Sequence, residues 1–230
     1  MIKLSNRLRT IQSLVPINAT ILDVGCDHGL LDISIYQNNI SKKIIASDIN
    51  KEALNNAIAN IKKNQLEDYI ETRLGNGLEV ITKEDNIDTV IISGMGAHTI
   101  IGILKNNKEK LKSIDTIIIG SNTKNYLVRK CLQSLGFHID SEVVVKDNKK
   151  YYIIIKFIKG KKKYTKKELT FGPVLLKENS KTFQEYSKIE LEKLYIIKRL
   201  LPKNRVVKRY KIQKQINSYK KTLNNKKNND

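Results

Sequence analysis

Seven residues, Asp23-Val24-Gly25-Cys26-Asp27-His28-Gly29, close an apolar run and lead into Leu-Leu-Asp-Ile-Ser-Ile-Tyr-Gln. The pattern predicts a strand, a tight glycine turn and a helix, which bring backbone N–H groups and a helix start up to a ligand. A dinucleotide pyrophosphate needs G-x-G-x-x-G there. This loop offers only Gly25 and Gly29, with an Asp-His pair between them. The chemistry that fits is a nucleoside cofactor without phosphates, S-adenosylmethionine. Such a cofactor needs one glycine turn beside its methionine part and an acid at the next strand end for its ribose hydroxyls. Asp48, in Ser-Asp-Ile-Asn, lies 23 positions beyond Gly25, close to the spacing of roughly 20 used for a ribose acid in dinucleotide folds. Asp48 could also cap the helix that follows. An adenine pocket is expected one strand further on, at Asn76 and Gly77.

Other chemistries find little support. His28, His98 and His138 are scattered and lack ligand partners at close spacing, so no metal site is expected. His138 reads as structural. There is no G-x-S-x-G elbow, and Ser93 in Ser-Gly-Met-Gly reads as strand filler. Cys26 and Cys131 form neither a metal-ligand pattern nor a disulfide framework. No opening apolar run ends in a small-residue cleavage site, and no apolar span approaches twenty residues. A reduced, cytoplasmic setting and a monomer are expected.

The elements that must position these residues follow from periodicity. Residues 5–14 have helical spacing (Leu8, Ile11, Leu14), with Ser5 as the cap and Pro16 as the breaker. Strands are predicted at 20–25, 43–50, 69–77, 87–96 and 114–122. Helices are predicted over LLDISIYQNN, over 51–64 and over 126–137, the last stopped by Gly136. A hairpin is predicted over 141–160. Strands alternating with helices imply an α/β, Rossmann-like, mostly parallel sheet with one antiparallel strand at the hairpin edge. Four of the five parallel strands end in glycine-bearing loops, and such loops share the functional edge of the sheet.

The charge is uneven. Residues 1–160 hold 22 basic and 17 acidic side chains, whereas residues 161–230 hold 21 and 6. The C-terminal excess predicts a polyanionic partner such as nucleic acid. Domains are therefore expected at 1–160, binding the cofactor, and at 161–230, a basic linker and a two-helix antiparallel coiled coil that binds the polyanion. Its seams are predicted as Phe183, Tyr186, Leu194, Ile197, Leu201 and Ile212, Ile216, Tyr219, Leu223. The tail NNKKNND is expected to be disordered.

LSNRL, DVGCDHGLL, SDIN, RLGNGLEVI, SGMGA, a loose LVRKCL…GF…E, YYIIIKF and FGPVLL occur in an order that resembles the bacterial tRNA (adenine-22-N1)-methyltransferases, over roughly residues 4–177. The resemblance implies a class I methyltransferase that uses S-adenosylmethionine on tRNA. It implies that Asp23, Gly25, Cys26, Asp48, Ile49, Asn76, Gly77, Gly94 and Met95 hold the cofactor. Arg7, His28, Gly96 and Asn122 then face the substrate, and Asp27 is the catalytic candidate. Three positions depart from the family pattern. Asn76 stands where an Asp is usual, Ala97 where a Gly is usual, and Gly120-Ser121 precede Asn122 where a Gln-Pro pair is usual. The alternatives are a non-catalytic RNA-binding protein that kept the fold, or a methyltransferase with a different substrate. Transfer of labelled methyl to bulk tRNA separates them.

Overall fold

The computed structural model describes residues 2–224; residues 225–230, most of the tail expected to be disordered, lie outside the described residues. In chain order the elements are α1 (Asn6–Leu14), β1 (Thr20–Val24), α2 (Leu30–Gln37), β2 (Lys43–Asp48), α3 (Lys51–Lys63), β3 (Ile70–Leu74), β4 (Thr89–Ser93), α4 (Ala97–Asn106), β5 (Thr116–Gly120), α5 (Asn125–Ser134), β6 (Phe137–Asp147), β7 (Lys150–Lys159), α6 (Lys166–Phe171), α7 (Pro173–Glu178), α8 (Lys181–Leu200) and α9 (Val206–Asn224). Short 3-10 turns follow β3 (Gly77–Val80) and α4 (Lys110–Lys112). Ser5 caps α1, its Oγ accepting from the Leu8 N–H at 3.4 Å. Helix α4 escapes the sequence pattern, since its β-branched Thr99, Ile100 and Ile101 and its central Gly102 weaken the helical signature.

Seven strands form one sheet in the order β3-β2-β1-β4-β5-β7-β6. β1 to β5 are mutually parallel. β7 runs antiparallel between β5 and β6, so the predicted hairpin makes up this end of the sheet and its antiparallel strand lies one position in from the edge. The chain winds outward from β1 to β3, then returns to start β4 on the other side of β1. The switch point between β1 and β4 is where ligands settle in such sheets. The central strands are apolar on both faces, with Ile21, Leu22, Val90, Ile91, Ile92, Ile117, Ile118 and Ile119 all buried, as parallel strands covered on both sides require. On one face Leu4, just before α1, and Ile11, Ile33, Ile35, Leu54 and Ile61 from α1, α2 and α3 pack over Ile21, Ile44, Ile91 and Ile154.

The chain divides into two compact units, Met1–Val174 and Leu175–Asp230, with the boundary inside α7. Residues 161–174, which the charge pattern groups with the C-terminal region, lie in the first unit. A capping box starts α6, with Thr165 Oγ1 accepting from the Glu168 N–H and Glu168 Oε2 accepting from the Thr165 N–H. Arg129 and Glu142, both fully buried, pair at 2.7 Å. Arg129 Nη1 donates to the carbonyls of Leu169 (3.2 Å) and Thr170 (3.3 Å), and Glu142 Oε2 accepts from the Val174 N–H at 3.1 Å. Charges so deep need such partners, and the partners are the backbone of 169–174.

The second unit holds α8 and α9. Ser180 caps α8 through the Phe183 N–H at 3.2 Å. Phe183 and Ile216 of the predicted seams are buried, but Ile197 is 47 % exposed. Toward the turn between the helices, polar contacts take the place of that seam residue. Lys198 Nζ donates to Gln213 Oε1, and Arg209 Nη1 donates to the carbonyls of Lys198 (2.9 Å) and Leu201 (2.7 Å), satisfying the last orphan carbonyls of α8.

Candidate active site

The site lies at the carboxyl ends of the parallel strands, around the β1–β4 switch point. After β1 the chain must turn sharply toward β2. The Gly25 and Cys26 N–H groups both donate to the Ser47 carbonyl, at 2.8 and 2.9 Å. Gly25 takes φ +77, and a Cβ there would lie 2.5 Å from Met95 Cε. Met95 can move aside, so the left-handed backbone is the stricter demand for glycine. The turn also brings the β1 loop against the β4 loop, where Gly94 and Met95 sit.

Asp27 itself has φ +53, a conformation that Asp tolerates better than most residues. Its N–H donates to Asp48 Oδ2 at 3.3 Å, and Asp48 Oδ1 accepts from the Asn50 N–H at 2.8 Å. Asn50, not Asp48, caps α3, its Oδ1 accepting from Glu52 (2.8 Å) and Ala53 (3.2 Å). Asp48 therefore ties the first two loops together. The Asp27 carboxylate is free to face outward; its Oδ1 lies 3.5 Å from His28 Nε2, with 72 % and 52 % of the two side chains exposed. The His28 carbonyl accepts from Asn60 Nδ2 of α3 at 2.9 Å.

The floor of the loop is acidic. Burial, with Asp48 nearby, pushes the Asp23 carboxyl up to about 7, against the pull of Arg7. Asp32, in the first turn of α2, is fully buried and neither carboxyl oxygen has a hydrogen-bond partner. Burial and then Asp23 raise it well above the ordinary carboxylate range, which favours its protonated form. Burial and the same acids push the Cys26 thiol up, which makes Cys26 a packing residue. Asp48, Asp23 and Asp32 thus gather beneath the Gly25 turn, an arrangement that favours a positively charged ligand. The sulfonium and ammonium groups of S-adenosylmethionine meet that demand.

At the next strand ends, Gly75 donates to the Asp48 carbonyl at 2.9 Å. Asn76 is exposed and donates to Glu79 Oε1 at 3.3 Å. A Cβ on Gly77 would come 2.6 Å from Ile103, so this glycine lets α4 close over the 3-10 turn. Ile49 is 68 % exposed and Leu74 is 54 % exposed. Leu74 pairs in register with Asp48, so two apolar side chains stand open where a flat purine could lie. Leu74 escapes sequence reasoning because it looks like the last apolar residue of a strand. The 3-10 turn is braced by Arg73, which donates in bidentate fashion to Asp85 at 2.6 and 2.7 Å and to Glu71 at 2.6 and 2.9 Å.

On the other side of the switch point, Asn122 Nδ2 donates to the Gly94 carbonyl at 2.6 Å and its N–H donates to the Met95 carbonyl at 2.9 Å. Gly120 faces Ser93, whose Oγ would lie 2.5 Å from an added Cβ. Ser121 Oγ donates to the Thr123 carbonyl at 2.7 Å. This Gly-Ser pair thus makes the turn that delivers Asn122. Gly96 precedes α4, and Ala97, fully buried, donates its N–H to Thr123 Oγ1 at 3.3 Å. Arg7 does not reach Asp27 in this structure. Its Nη1 donates to Ser93 Oγ at 3.4 Å, and its guanidinium lies 5.4 Å from the Tyr152 ring centroid. Ser93 is thus only half-buried and engaged, not filler. His98 and Lys124, which the sequence pattern leaves aside, meet at 3.1 Å beside this loop. Among the described residues no cluster of His, Cys, Asp or Glu could hold a metal ion, and no helix is long and apolar enough to cross a membrane.

The sequence profile of the TrmK family, tRNA (adenine(22)-N(1))-methyltransferase, matches residues 21–221. The chain belongs to this family. It is 29% identical over 188 residues to the tRNA (adenine(22)-N(1))-methyltransferase of Bacillus subtilis, covering 79% of each chain. The solved structure of M. capricolum TrmK, in complex with S-adenosyl-homocysteine, is 35% identical, with a TM-score of 0.85 over 96% of this chain and 97% of that one. A Streptococcus pneumoniae protein solved with S-adenosyl-L-methionine is 30% identical, with a TM-score of 0.90 over 96% of this chain and all of that one. The fold is the Rossmann-like methyltransferase fold, and the cofactor is S-adenosylmethionine.

Proposed function

We propose that the protein methylates N1 of adenine 22 in tRNA, in the cytoplasm, with Asp27 at the reacting centre. S-adenosylmethionine supplies the electrophilic methyl group on its sulfonium. The observation that carries the reading is the meeting of the Gly25, Asp48 and Gly94–Met95 loops at one edge of a chain that belongs to this family, with the Asp27 carboxylate exposed among them.

Adenine N1 is a lone-pair nucleophile that carries no proton at neutral pH, so no strong base is needed. Alignment of N1 with the methyl carbon and sulfur supplies much of the acceleration. Asp48 takes the ribose hydroxyls, and Ile49 and Leu74 flank the adenine. Asp23, once ionised, receives the ammonium group. The methylated adenine gains positive charge; Asp27 accepts a hydrogen bond from N6 and stabilises that charge as it develops. Arg7, held between Ser93 and Tyr152, and Asn122, held on the Gly94 carbonyl, border the place where the base enters. His28 lies beside Asp27 and shapes its setting.

N1 lies on the Watson–Crick edge, so the base must leave any pairing before it reacts. The tRNA is therefore gripped by shape and backbone. The second unit, with 16 basic and 5 acidic residues in 175–230, supplies that grip. Around the turn between α8 and α9 it presents Arg199, Lys203, Arg205 and Lys208 beside exposed Leu200, Val206, Val207 and Tyr210.

The deciding experiment incubates the protein with unmodified tRNA and labelled cofactor, then maps the product by mass spectrometry. Label at N1 of adenine 22 is expected. Label at another nucleotide, or none, overturns the assignment. Under single turnover Asp27→Ala should slow transfer by about 100-fold or more, the scale of a lost charge-stabilising group, while cofactor affinity stays. Wild-type rates would remove Asp27 from its role.

A further inference from the structure

The β6–β7 hairpin extends well past the strand beside it. β5 ends at Gly120, where an added Cβ would lie 3.2 Å from Ile154 Cδ1, with Ile119 paired to Ile155. β7 begins four residues before Ile154, at Lys150, and β6 continues to Asp147. At a rise of about 3.3 Å per residue the overhang is about 13 Å. Because β7 is antiparallel to β5, this overhang stands on the carboxyl edge, the edge that carries Gly25, Asp27 and Gly94.

The tip turns through two residues, Asn148 and Lys149. Asn148 takes φ +53, as the first position of a tight primed turn demands. Lys146, Lys149 and Lys150 are exposed, and Tyr151 and Tyr152 are half-buried. Lys146 and Tyr151 face each other across the ladder, with Nζ 5.6 Å from the ring centroid. The tip is tied to α1. Asn6 Nδ2 donates to the Lys146 carbonyl at 3.1 Å, and the Arg7 N–H donates to Asp147 Oδ2 at 3.4 Å. Asp147, the acid of the tip, is thus engaged by backbone. Arg7 then bridges from Tyr152 to Ser93 at the mouth of the site. The element is aromatic-backed: Lys146 with Tyr151 stands on one face of the ladder, Lys150 with Tyr152 on the other, and Lys149 at the turn, all on the carboxyl edge that carries Asp27. The core does not call for these lysines.

We propose that this hairpin tip is a phosphate-binding element of the catalytic unit. Lys146, Lys149 and Lys150 contact backbone phosphates of the tRNA next to the target adenine and hold the extruded nucleotide over Asp27. The proposal rests on tRNA being the substrate. It adds a second electrostatic contact that is independent of the charge in residues 175–230.

The test uses the full-length protein with Lys146→Gln, Lys149→Gln and Lys150→Gln combined, and the matching triple Arg variant. Binding of tRNA is measured by anisotropy between about 50 and 200 mM salt, where phosphate contacts dominate the response. The Gln variant should show a slope of log affinity against log salt shallower by about two to three, roughly one per lost contact. Its KM for tRNA should rise about tenfold, while cofactor affinity and melting temperature stay at wild-type values. The Arg variant should keep the slope. A wild-type slope and KM in the Gln variant overturn the proposal, as does a slope lost equally with Arg. If the triple Gln variant melts early, Lys149→Gln alone, at the turn, should still lower the slope by about one, and an unchanged slope there counts against the proposal. A wild-type protein that binds tRNA but transfers no methyl to it would overturn the substrate reading, while the binding slopes still judge the hairpin.

Discussion

The two units of this chain are held together by different means. Residues 1–174 carry 27 basic and 18 acidic side chains, and their deepest ionisable groups are paired or pushed toward the protonated form. Residues 175–230 carry 16 and 5 in about a third of the length, with Leu200, Val206, Val207 and Tyr210 open to solvent. The first unit is specified by burial, so a change in its interior acts on folding. The second presents its charge to water, so a change on its surface should leave the fold intact and act, in the proposed reading, on tRNA binding. The same residue types, Arg and Glu, are buried and paired in one unit and exposed or half-buried in the other.

That contrast can be broken most severely at Glu142. Glu142→Ala leaves Arg129 charged, buried and without its carboxylate, and removes the acceptor of the Val174 N–H. Unfolding in denaturant should show a loss of about 3–5 kcal/mol. A loss below about 1 kcal/mol would mean that the pair is not what holds residues 169–174 to the first unit. On the other side, Lys203→Gln, Arg205→Gln and Lys208→Gln combined should leave stability within about 0.5 kcal/mol. The same variant should shallow the salt dependence of tRNA binding by up to about three. Unchanged tRNA binding would take the grip away from this turn.

The acidic floor sharpens the comparison through pH. Asp23, raised to about 7 in the ligand-free protein, is protonated below that pH and must lose its proton to receive a cation. Cofactor affinity should therefore rise by up to about tenfold per pH unit below about 7 and level off above it. Calorimetry across this range checks the trend, and a flat profile would exclude Asp23 as the ammonium partner. The smallest effect concerns stability. Asp23 and Asp32 have raised folded-state values, so above about pH 4 the unfolded chain ionises these acids while the folded chain resists. Stability of the ligand-free protein should fall as pH rises from there through about 7. Asp32→Asn should flatten that fall and melt higher at pH 8 (by about a degree or two), since it removes one of the two acids. A melt unchanged at every pH would show that Asp32 is not the buried acid responsible.

Much of the first unit is legible along the chain. Apart from the edge strand β3, Ile-Glu-Thr-Arg-Leu, each parallel strand is a short, mostly apolar run that ends in an acid or runs into glycine, because burial on both faces favours apolar positions. The cap at Ser5 lies in plain view, whereas the cap of α3 falls on Asn50, two positions beyond the acid expected to supply it. Helix α4 is hidden too, since its β-branched centre mimics a strand. Gly77 reads as a cofactor contact, yet only the packed structure shows Ile103 beside it. The role of Gly120 is equally hidden, because Ser93 lies 27 positions away in the chain. In the second unit, Ile197 fits a heptad seam by spacing, but Lys198, Gln213 and Arg209 satisfy the helix ends there and leave it exposed.

The amino-acid sequence alone determined the α/β class, the glycine turn after the first strand, the acid Asp48 at the end of the second and the basic C-terminal region, since these rest on local pattern and composition. The tertiary structure decided which loops meet. Strand order places β4 beside β1, and so brings Met95 to Gly25, Asn122 to Gly94 and Arg7 to Ser93. It also decided that Asp48 positions Asp27 instead of capping a helix, and that Asp23 and Asp32 share one dry floor. Each of these depends on non-local packing that buries apolar strands side by side, and no spacing along the chain encodes which neighbours that packing selects.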